Sequence, residues 1–308
     1  MPKPNWPDLK VGKGLGNGAG SIIYRVVSNK DGTLYGCKHV TRISIEHIDQ
    51  ARNNASRSTE LNKQKLDRSV YQSYFDQVKN EFKMLKEFQQ AGGGPHVVTV
   101  YDLRTVRKGL RVHGYDMLMD FVDGFGLKEK NDYSMRKLLD FFRQVAQGLL
   151  EIHQFGIIHA DMKPSHVMVD PNGLVKIIDF GQSTFVGTDT FRIQGTPEYM
   201  APEQLKGEQI DFKTDVYGMG ATMYWALTGR LNRPAMTGPP GSQGLDFTVS
   251  YAGRSRAVRN DNPKVPKELD KLVVACCERD PEKRPQTMRE VWQALQEMQK
   301  KNVVPEGL

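Results

Sequence analysis

Five glycines, Gly12, Gly14, Gly16, Gly18 and Gly20, fall at every second position ahead of a β-branched run. Without Cβ atoms, a backbone can approach a phosphate chain closely and turn its N–H groups towards the anion. The spacing alone is a weak signal. Gly14, Gly16 and Ala19 even satisfy a relaxed dinucleotide-binding pattern, but that pattern must open a helix, and residues 21–27 are strand formers. The glycine run therefore joins two strands, as a flap would. Lys38, in Tyr35-Gly-Cys-Lys-His-Val40, lies on the following strand-forming segment. A lysine behind a glycine flap neutralises phosphate charge if an acid holds it, and Glu81 is the natural candidate; alone, such a lysine is a surface charge. Further along, Ile157-Ile-His159-Ala-Asp161-Met-Lys163-Pro-Ser-His166 runs an apolar strand into a loop with an acid and a base. Lys176-Ile-Ile-Asp179-Phe180-Gly181 comes next. Gly195-Thr196-Pro-Glu-Tyr-Met-Ala201-Pro202-Glu203, Asp215-Val-Tyr-Gly-Met-Gly220 and Arg279-Asp-Pro-Glu-Lys-Arg284-Pro complete the series.

These groups need elements to hold them. Residues 21–27 are β-branched and aromatic, Asn29-Lys-Asp-Gly32 is a turn, and residues 33–40 form a second strand. Residues 43–70 are rich in Asn, Ser, Arg, Gln and Lys and read as a polar insertion, in part helical. From Tyr74 the spacing is helical, with Phe75, Val78, Phe82, Leu85 and Phe88 three or four residues apart. Ala91-Gly-Gly-Gly-Pro95 ends that helix, and strands return at residues 97–106 and 115–122. After Gly124 the pattern is mainly helical. Leu138, Phe141, Phe142, Val145, Leu149 and Ile152 make one apolar stripe. A hairpin over residues 167–178 turns at Asp170-Pro-Asn-Gly173, and residues 287–300 form a last amphipathic helix.

Composition narrows the class. The 308 residues are 38% hydrophobic, enough for a substantial core. The first seven residues lack the apolar run of a signal peptide, and nothing is long enough to span a bilayer, so a cytoplasmic location with no membrane partner is expected. Cys37, Cys276 and Cys277 fit no disulfide framework or metal motif and are expected to be reduced, buried thiols. The formal charge of +7 is concentrated in residues 230–267, where seven basic residues face only Asp246 and Asp261. That stretch is a solvated loop face or a docking surface for an acidic partner. No nucleic-acid-binding motif appears, so no nucleic-acid partner is expected.

The seven motifs in this order resemble the eukaryotic-type protein kinase family over roughly residues 8–300. The resemblance implies an α+β, bilobal fold. A small antiparallel-sheet N-lobe with one main helix would span residues 8–119, with residues 43–70 as its polar insertion. A hinge would follow at 120–124, and a larger helical C-lobe at 125–300. ATP and Mg²⁺ would lie in the cleft between the lobes, and the γ-phosphoryl group would pass to Ser or Thr hydroxyls of protein substrates. Leu15, Gly16, Gly18, Gly20, Ser21 and Ile23 would form the phosphate flap, with Ser21 where the family has its third glycine. Lys38 would contact the α- and β-phosphates and pair with Glu81. Met119 would be the gatekeeper, with Asp120 to Val122 as the hinge whose backbone reads adenine. Asp161 would orient the substrate hydroxyl and accept its proton, Lys163 would stabilise the γ-phosphoryl, and Thr196 would bridge the two. Asp179 would ligate the metal, Asp215 would hold the catalytic-loop backbone, and Glu203 would pair with Arg284. His159, Phe180, Leu85 and Val100 would form a hydrophobic spine. Lys163 together with Gly195-Thr196-Pro197 resembles the serine/threonine members rather than the tyrosine members. Gly126, Ser165 and Trp225 stand where arginine-directed members carry acids, so no strong preference for upstream arginine is expected.

Two positions depart from the family. Ala160 replaces the arginine before the catalytic Asp, the residue that clamps an activation-loop phosphate. Phosphorylation of Thr188 or Thr190 then has no obvious receiver, and activity should not depend strictly on it. His166 stands where the family has the asparagine that helps to bind a second Mg²⁺. An imidazole nitrogen is softer than an amide oxygen, so reduced activity, a shift to Mn²⁺ or one firmly held ion are the alternatives. The rival reading is a nucleotide-binding pseudokinase scaffold with weak or no phosphoryl transfer. Against it stands the retention of Lys38, Glu81, Asp161, Lys163 and Asp179 together. A kinase-fold enzyme for small molecules is a third reading, weakened because residues 196–203 resemble a peptide-binding segment.

Overall fold

The computed structural model describes residues 3–4, 6–17, 20–55, 68–129, 133–188, 196–232 and 256–304. Two compact units emerge: Met1–Gly93 with Val98–Asp123, and Gly94–Val97 with Gly124–Leu308.

The first unit is a five-stranded sheet with two helices. Its strands are β1 (Leu9–Asn17), β2 (Ile22–Ser28), β3 (Leu34–Thr41), β4 (Val100–Lys108) and β5 (Arg111–Asp120), in the order β1-β2-β3-β5-β4, and every pair is antiparallel. Alternation assigns the faces. Ile22, Tyr24, Val26, Cys37 and Leu118 form one buried cluster, closed by Trp6 and Ile48. Lys38 lies on the other face, opposite Ile23 of β2 and Met117 of β5.

Helix α1 (Arg42–Ala55) supplies Ile48, and α2 (Arg68–Gln90) packs on the face that bears Lys38. Helix α2 is the expected main helix, and α1 is a helical part of the polar segment. In α1, Ile45 is 2% and Ile48 6% exposed, so the first part of the polar segment is packed rather than solvated. Residues 56–67 of that segment lie outside the described residues. The buried face of α2 is Tyr71, Phe75, Val78, Glu81, Met84, Leu85 and Phe88. Phe82, expected on that face, is only half-buried, and the charged Glu81 takes the inward position.

Residues 97–99 also differ from expectation. The strand begins only at Val100, and Val97 bridges Ile177 in the second unit. His96 anchors that short return, its Nδ1 3.0 Å from the Val175 carbonyl and its own carbonyl accepting from Ile177 N–H at 2.8 Å.

The second unit is mainly helical. It runs through β6 (Phe125–Gly126), α3 (Met135–Gln154), β7 (Ile157–Ile158), β8 (Val167–Val169), β9 (Val175–Ile177), β10 (Thr184–Phe185), α4 (Pro202–Leu205), α5 (Phe212–Thr228), α6 (Lys267–Cys276) and α7 (Met288–Lys300). Ser134 caps α3, Asp211 caps α5 and Thr287 caps α7, each side chain accepting a backbone N–H of the first turn. Val216, Met219, Met223 and Tyr224 make α5 the buried axis, against which α3, α6 and α7 pack. Gly218 lets α5 approach the loop that follows β7: a Cβ there would lie 3.0 Å from Met162 Cβ. Of the basic stretch 230–267, Arg230 and Arg256 each pair with Asp261 at 2.7 Å, and residues 233–255 lie outside the described residues. Among the described residues no helix is long and apolar enough to cross a membrane.

Arg284 and Glu203 meet as a buried fork, with two N–H···O bonds of 2.7 and 2.8 Å. Arg284 also donates to the carbonyls of Glu278, Arg279 and Lys213, so its charge is fully surrounded. Arg284→Ala is expected to lower the unfolding free energy by about 3–5 kcal/mol, because it strands the Glu203 carboxylate in the core. Urea denaturation followed by circular dichroism reads this. A loss below about 1 kcal/mol would mean that the fork adds little.

None of the three cysteines is in a disulfide and all are buried, and burial pushes their thiols up, that of Cys277 to about 12. Iodoacetamide at pH 8 is expected to label none of them in the native protein and all three after denaturation. Mass spectrometry makes the check.

Candidate active site

In the first unit, Lys38 on β3 and Glu81 on α2 form a buried ion pair, Nζ to Oε2 2.6 Å, with side chains 8% and 1% exposed. The pairing follows from placement. Glu81 falls on the apolar stripe of α2, where only a cation offsets the cost of removing its charge from water. Met119 shares the Lys38 face of the sheet, by register with Gly36. Asp120 turns its carboxylate to Tyr101 Oη at 2.6 Å and Thr99 N–H at 3.1 Å, and Val122 follows β5. Of the expected flap, Leu15 (55% exposed) and Gly16 lie on β1, Ser21 is buried and Ile23 is on β2; Gly18 lies outside the described residues. Gly20 has φ +70°, and a Cβ there would come within 2.6 Å of the Tyr74 ring, so glycine is required on both counts.

In the second unit, Asp161, Lys163 and Thr196 make a closed triangle. Lys163 Nζ donates to Asp161 Oδ2 at 2.8 Å and to Thr196 Oγ1 at 2.6 Å, and Thr196 N–H donates to Asp161 Oδ1 at 2.7 Å. Both carboxylate oxygens are engaged, which fixes the orientation of the group.

The loop beneath this triangle hangs on Asp215 of α5. Its Oδ2 accepts from His159 N–H at 2.7 Å and lies 2.8 Å from His153 Nε2, and its Oδ1 accepts from Ala160 N–H at 2.8 Å. Burial alone would raise this carboxyl, but the bond from His153 and the surrounding N–H groups outweigh it and hold the pKa below the ordinary range. Ala160 takes φ +61°, a left-handed conformation that costs an alanine roughly 1–2 kcal/mol. Gln204 secures the same residue from the other side, its Nε2 donating to the Ala160 carbonyl at 2.7 Å while its Oε1 accepts from Ala201 N–H at 3.0 Å. Burial holds the His159 pKa low, so its ring is neutral. Its Nδ1 accepts from Asp161 N–H at 3.3 Å, its ring lies edge-on to Phe180 at 4.8 Å, and Ser183 Oγ donates to its carbonyl at 3.1 Å.

His166 stands between two carboxylates. Its Nε2 is 3.3 Å from Asp179 Oδ2 and its Nδ1 3.7 Å from Asp161 Oδ2, and that buried Nδ1 makes no hydrogen bond among the described residues. Asp179 also has a left-handed backbone, φ +64°, and its side chain is 28% exposed. No group of three His, Cys, Asp or Glu suited to a metal occurs among the described residues, so a cation here would take its remaining ligands from elsewhere.

Gln204 and His153 do not stand out in the sequence, although Gln204 holds the Ala160 carbonyl and His153 holds the Asp215 carboxylate on which the loop hangs. His153 sits in the apolar stripe of α3, a polar residue on a buried face, and that was the available signal.

A family model, the protein kinase domain, matches residues 9–297. A probable serine/threonine-protein kinase of Clostridium acetobutylicum is 30% identical over 226 residues, 70% of this chain and 33% of that protein. The serine/threonine-protein kinase PknB of Mycolicibacterium smegmatis is 31% identical over 214 residues, 64% of this chain and 32% of its own length. A probable serine/threonine-protein kinase of Streptomyces coelicolor is 34% identical over 189 residues, 57% of this chain and 27% of that protein. The chain thus spans about a third of the length of the curated relatives it matches.

Asp215→Asn is expected to cost about 1–3 kcal/mol of stability. An amide has one accepting oxygen, so its NH₂ group must face either the Ala160 or the His159 N–H, donor against donor. Thermal unfolding measures the cost, and an unchanged midpoint would show that the loop backbone does not depend on this carboxylate.

Proposed function

Because the chain belongs to the protein kinase domain family, we propose that it transfers the γ-phosphoryl group of ATP to serine or threonine hydroxyls of protein substrates. The observation that carries the proposal is the triangle of Asp161, Lys163 and Thr196. Asp161 orients the acceptor hydroxyl and takes its proton. Lys163, already on Asp161, neutralises charge that spreads onto the transferring group. Lys38, held by Glu81, meets the charge of the α- and β-phosphates, and the glycine segment of residues 12–20 offers backbone N–H groups to the same chain. Met119, Asp120 and Val122 border the adenine. The serine/threonine assignment draws on the relatives, which are named as serine/threonine-protein kinases, and on Lys163, two residues after Asp161.

The donor set fits a divalent cation bound together with a nucleotide. Asp179 offers a carboxylate oxygen and His166 an imidazole nitrogen within 3.3 Å of it. Mg²⁺ sites of this kind draw their remaining oxygens from phosphates and water. A cation there supplies charge neutralisation at the phosphates. His166 in place of an amide oxygen shifts the preference towards Mn²⁺. Ala160 offers no charge to an activation-segment phosphate, so activity does not depend strictly on modification at Thr188 or Thr190.

One observation favours a second reading, the nucleotide-binding scaffold: His166 occupies the carboxylate that the metal would need. Transfer of label from ATP, to the chain itself and to a generic acceptor protein, separates the two. It is run with Mg²⁺ and with Mn²⁺ beside Asp161→Asn and Asp179→Asn, each of which is expected to lower the rate at least about a hundredfold. Calorimetric titration of each ion into the protein with a non-hydrolysable ATP analogue is expected to favour Mn²⁺ in the parent and Mg²⁺ in His166→Asn. Nucleotide binding without transfer in either metal would establish the scaffold.

A further inference from the structure

The strand that carries Lys38 does not end freely. Thr41, the last residue of β3, and Ser44 cap each other: Thr41 Oγ1 accepts from Ser44 N–H at 3.2 Å, and Ser44 Oγ from Thr41 N–H at 2.8 Å. Helix α1 therefore continues β3 without a loose joint, and buried Ile45 and Ile48 seat it. Arg42 and Glu46, four residues apart, share one face of α1. Both converge on Tyr71 of α2. Glu46 Oε1 accepts the Tyr71 hydroxyl at 2.6 Å, and the Arg42 guanidinium lies over the same ring at 5.1 Å. Tyr71 is 6% exposed and precedes Glu81 by ten residues, or about 15 Å along the helix. The Tyr74 ring, one turn from Tyr71, lies against Gly20. At the far end of this span, Glu81 closes on Lys38 at 2.6 Å. Lys38, β3, α1, Tyr71, α2 and Glu81 thus form a ring of covalent and non-covalent links.

We propose that α1 is a built-in brace that keeps Glu81 on Lys38, with Arg42, Glu46 and Tyr71 as positioning residues. The inference rests on the reading of Lys38 as a nucleotide-binding lysine. An ion pair between a sheet and a helix lasts only as long as the helix keeps its place. The contacts of α1 fix α2 about three turns away from the pair and leave the pair little freedom to open. Burial, with the bond to Glu46, pushes the Tyr71 phenol up to about 12, so it remains a donor across the neutral range. The brace acts within the first unit and needs no phosphate on the segment around Thr188, in accord with the missing arginine at Ala160.

The test uses the full chain with Tyr71→Phe, Glu46→Ala, Glu46→Gln and the double Tyr71→Phe/Glu46→Ala. Tyr71→Phe and Glu46→Ala are each expected to lower kcat about 3- to 10-fold, and the double no further than the worse single, since they break one bond. Glu46→Gln keeps an accepting oxygen and stays within about twofold of the parent. Hydrogen–deuterium exchange without ATP gives a second readout. Amides of residues 75–88 should exchange about 3- to 10-fold faster in the two disruptive variants and at the parental rate in Glu46→Gln. Parental exchange over residues 75–88 in Tyr71→Phe, or a double variant equal to the product of the singles, overturns the brace. A parent that transfers no phosphate overturns the proposed activity alone, because the exchange result still decides whether α1 holds α2.

Discussion

Burial of one carboxylate, that of Asp215, sets the geometry on which the second unit depends. A charge taken out of water costs several kcal/mol unless donors surround it. Here the donors are His153 and two successive backbone N–H groups, those of His159 and Ala160. Successive amides converge on one anion only where the backbone alternates its conformation, and Ala160 provides this by turning left-handed. The strain at Ala160 is thus the counterpart of the satisfied charge at Asp215. The direction from which Asp161 leaves the loop follows from both. Gln204 then holds the Ala160 carbonyl, so the residue before the proposed base is fixed at its N–H and at its C=O.

The first unit solves a similar problem with a different element pair. Lys38 and Glu81 are almost fully buried, with side chains 8% and 1% exposed. Lys163 and Asp161 form a pair that is more open, with side chains 19% and 8% exposed. The contrast suits their proposed tasks. A phosphate-anchoring lysine gains from a rigid, desolvated partner, whereas a proton-accepting carboxylate must be reached by an incoming hydroxyl.

Much of the fold was legible because apolar periodicity reports burial wherever burial is apolar. The strands β2 and β3, the stripe of α3 and the capped start of α7 all follow from such patterns. The pattern misled where a charged group was the one buried. On α2, Phe82 looked like the core residue, but Glu81 beside it has a cation waiting 43 residues earlier in the chain, and hydrophobicity cannot register a distant partner. Helix α1 was obscured for a related reason. Of its three isoleucines only Ile45 and Ile48 are buried, and in a segment of polar residues they carry little periodic signal, yet Ile48 joins the cluster on the sheet face. Gln204 reads as an ordinary polar residue, since its partner Ala160 lies 44 positions away. The excess charge of residues 230–267 was visible, but not that Asp261 takes up two of its arginines.

The two departures from the family share a physical logic. Ala160 keeps the left-handed backbone and the N–H bond to Asp215, so the support of the loop survives although the guanidinium that would receive a phosphate is gone. His166 likewise keeps its backbone in place, its N–H donating to the Lys163 carbonyl and its own carbonyl accepting from Ile178 N–H, both at 3.0 Å. Only its side chain differs, and that side chain now faces Asp179 and Asp161. At both positions the main-chain bonds that hold Asp161 and Asp179 in place persist, and what changes is a side chain that would read phosphorylation or select a metal. The strained Ala160 thus serves both the buried charge of Asp215 and the placement of Asp161, and the proposed phosphoryl transfer needs the second of these.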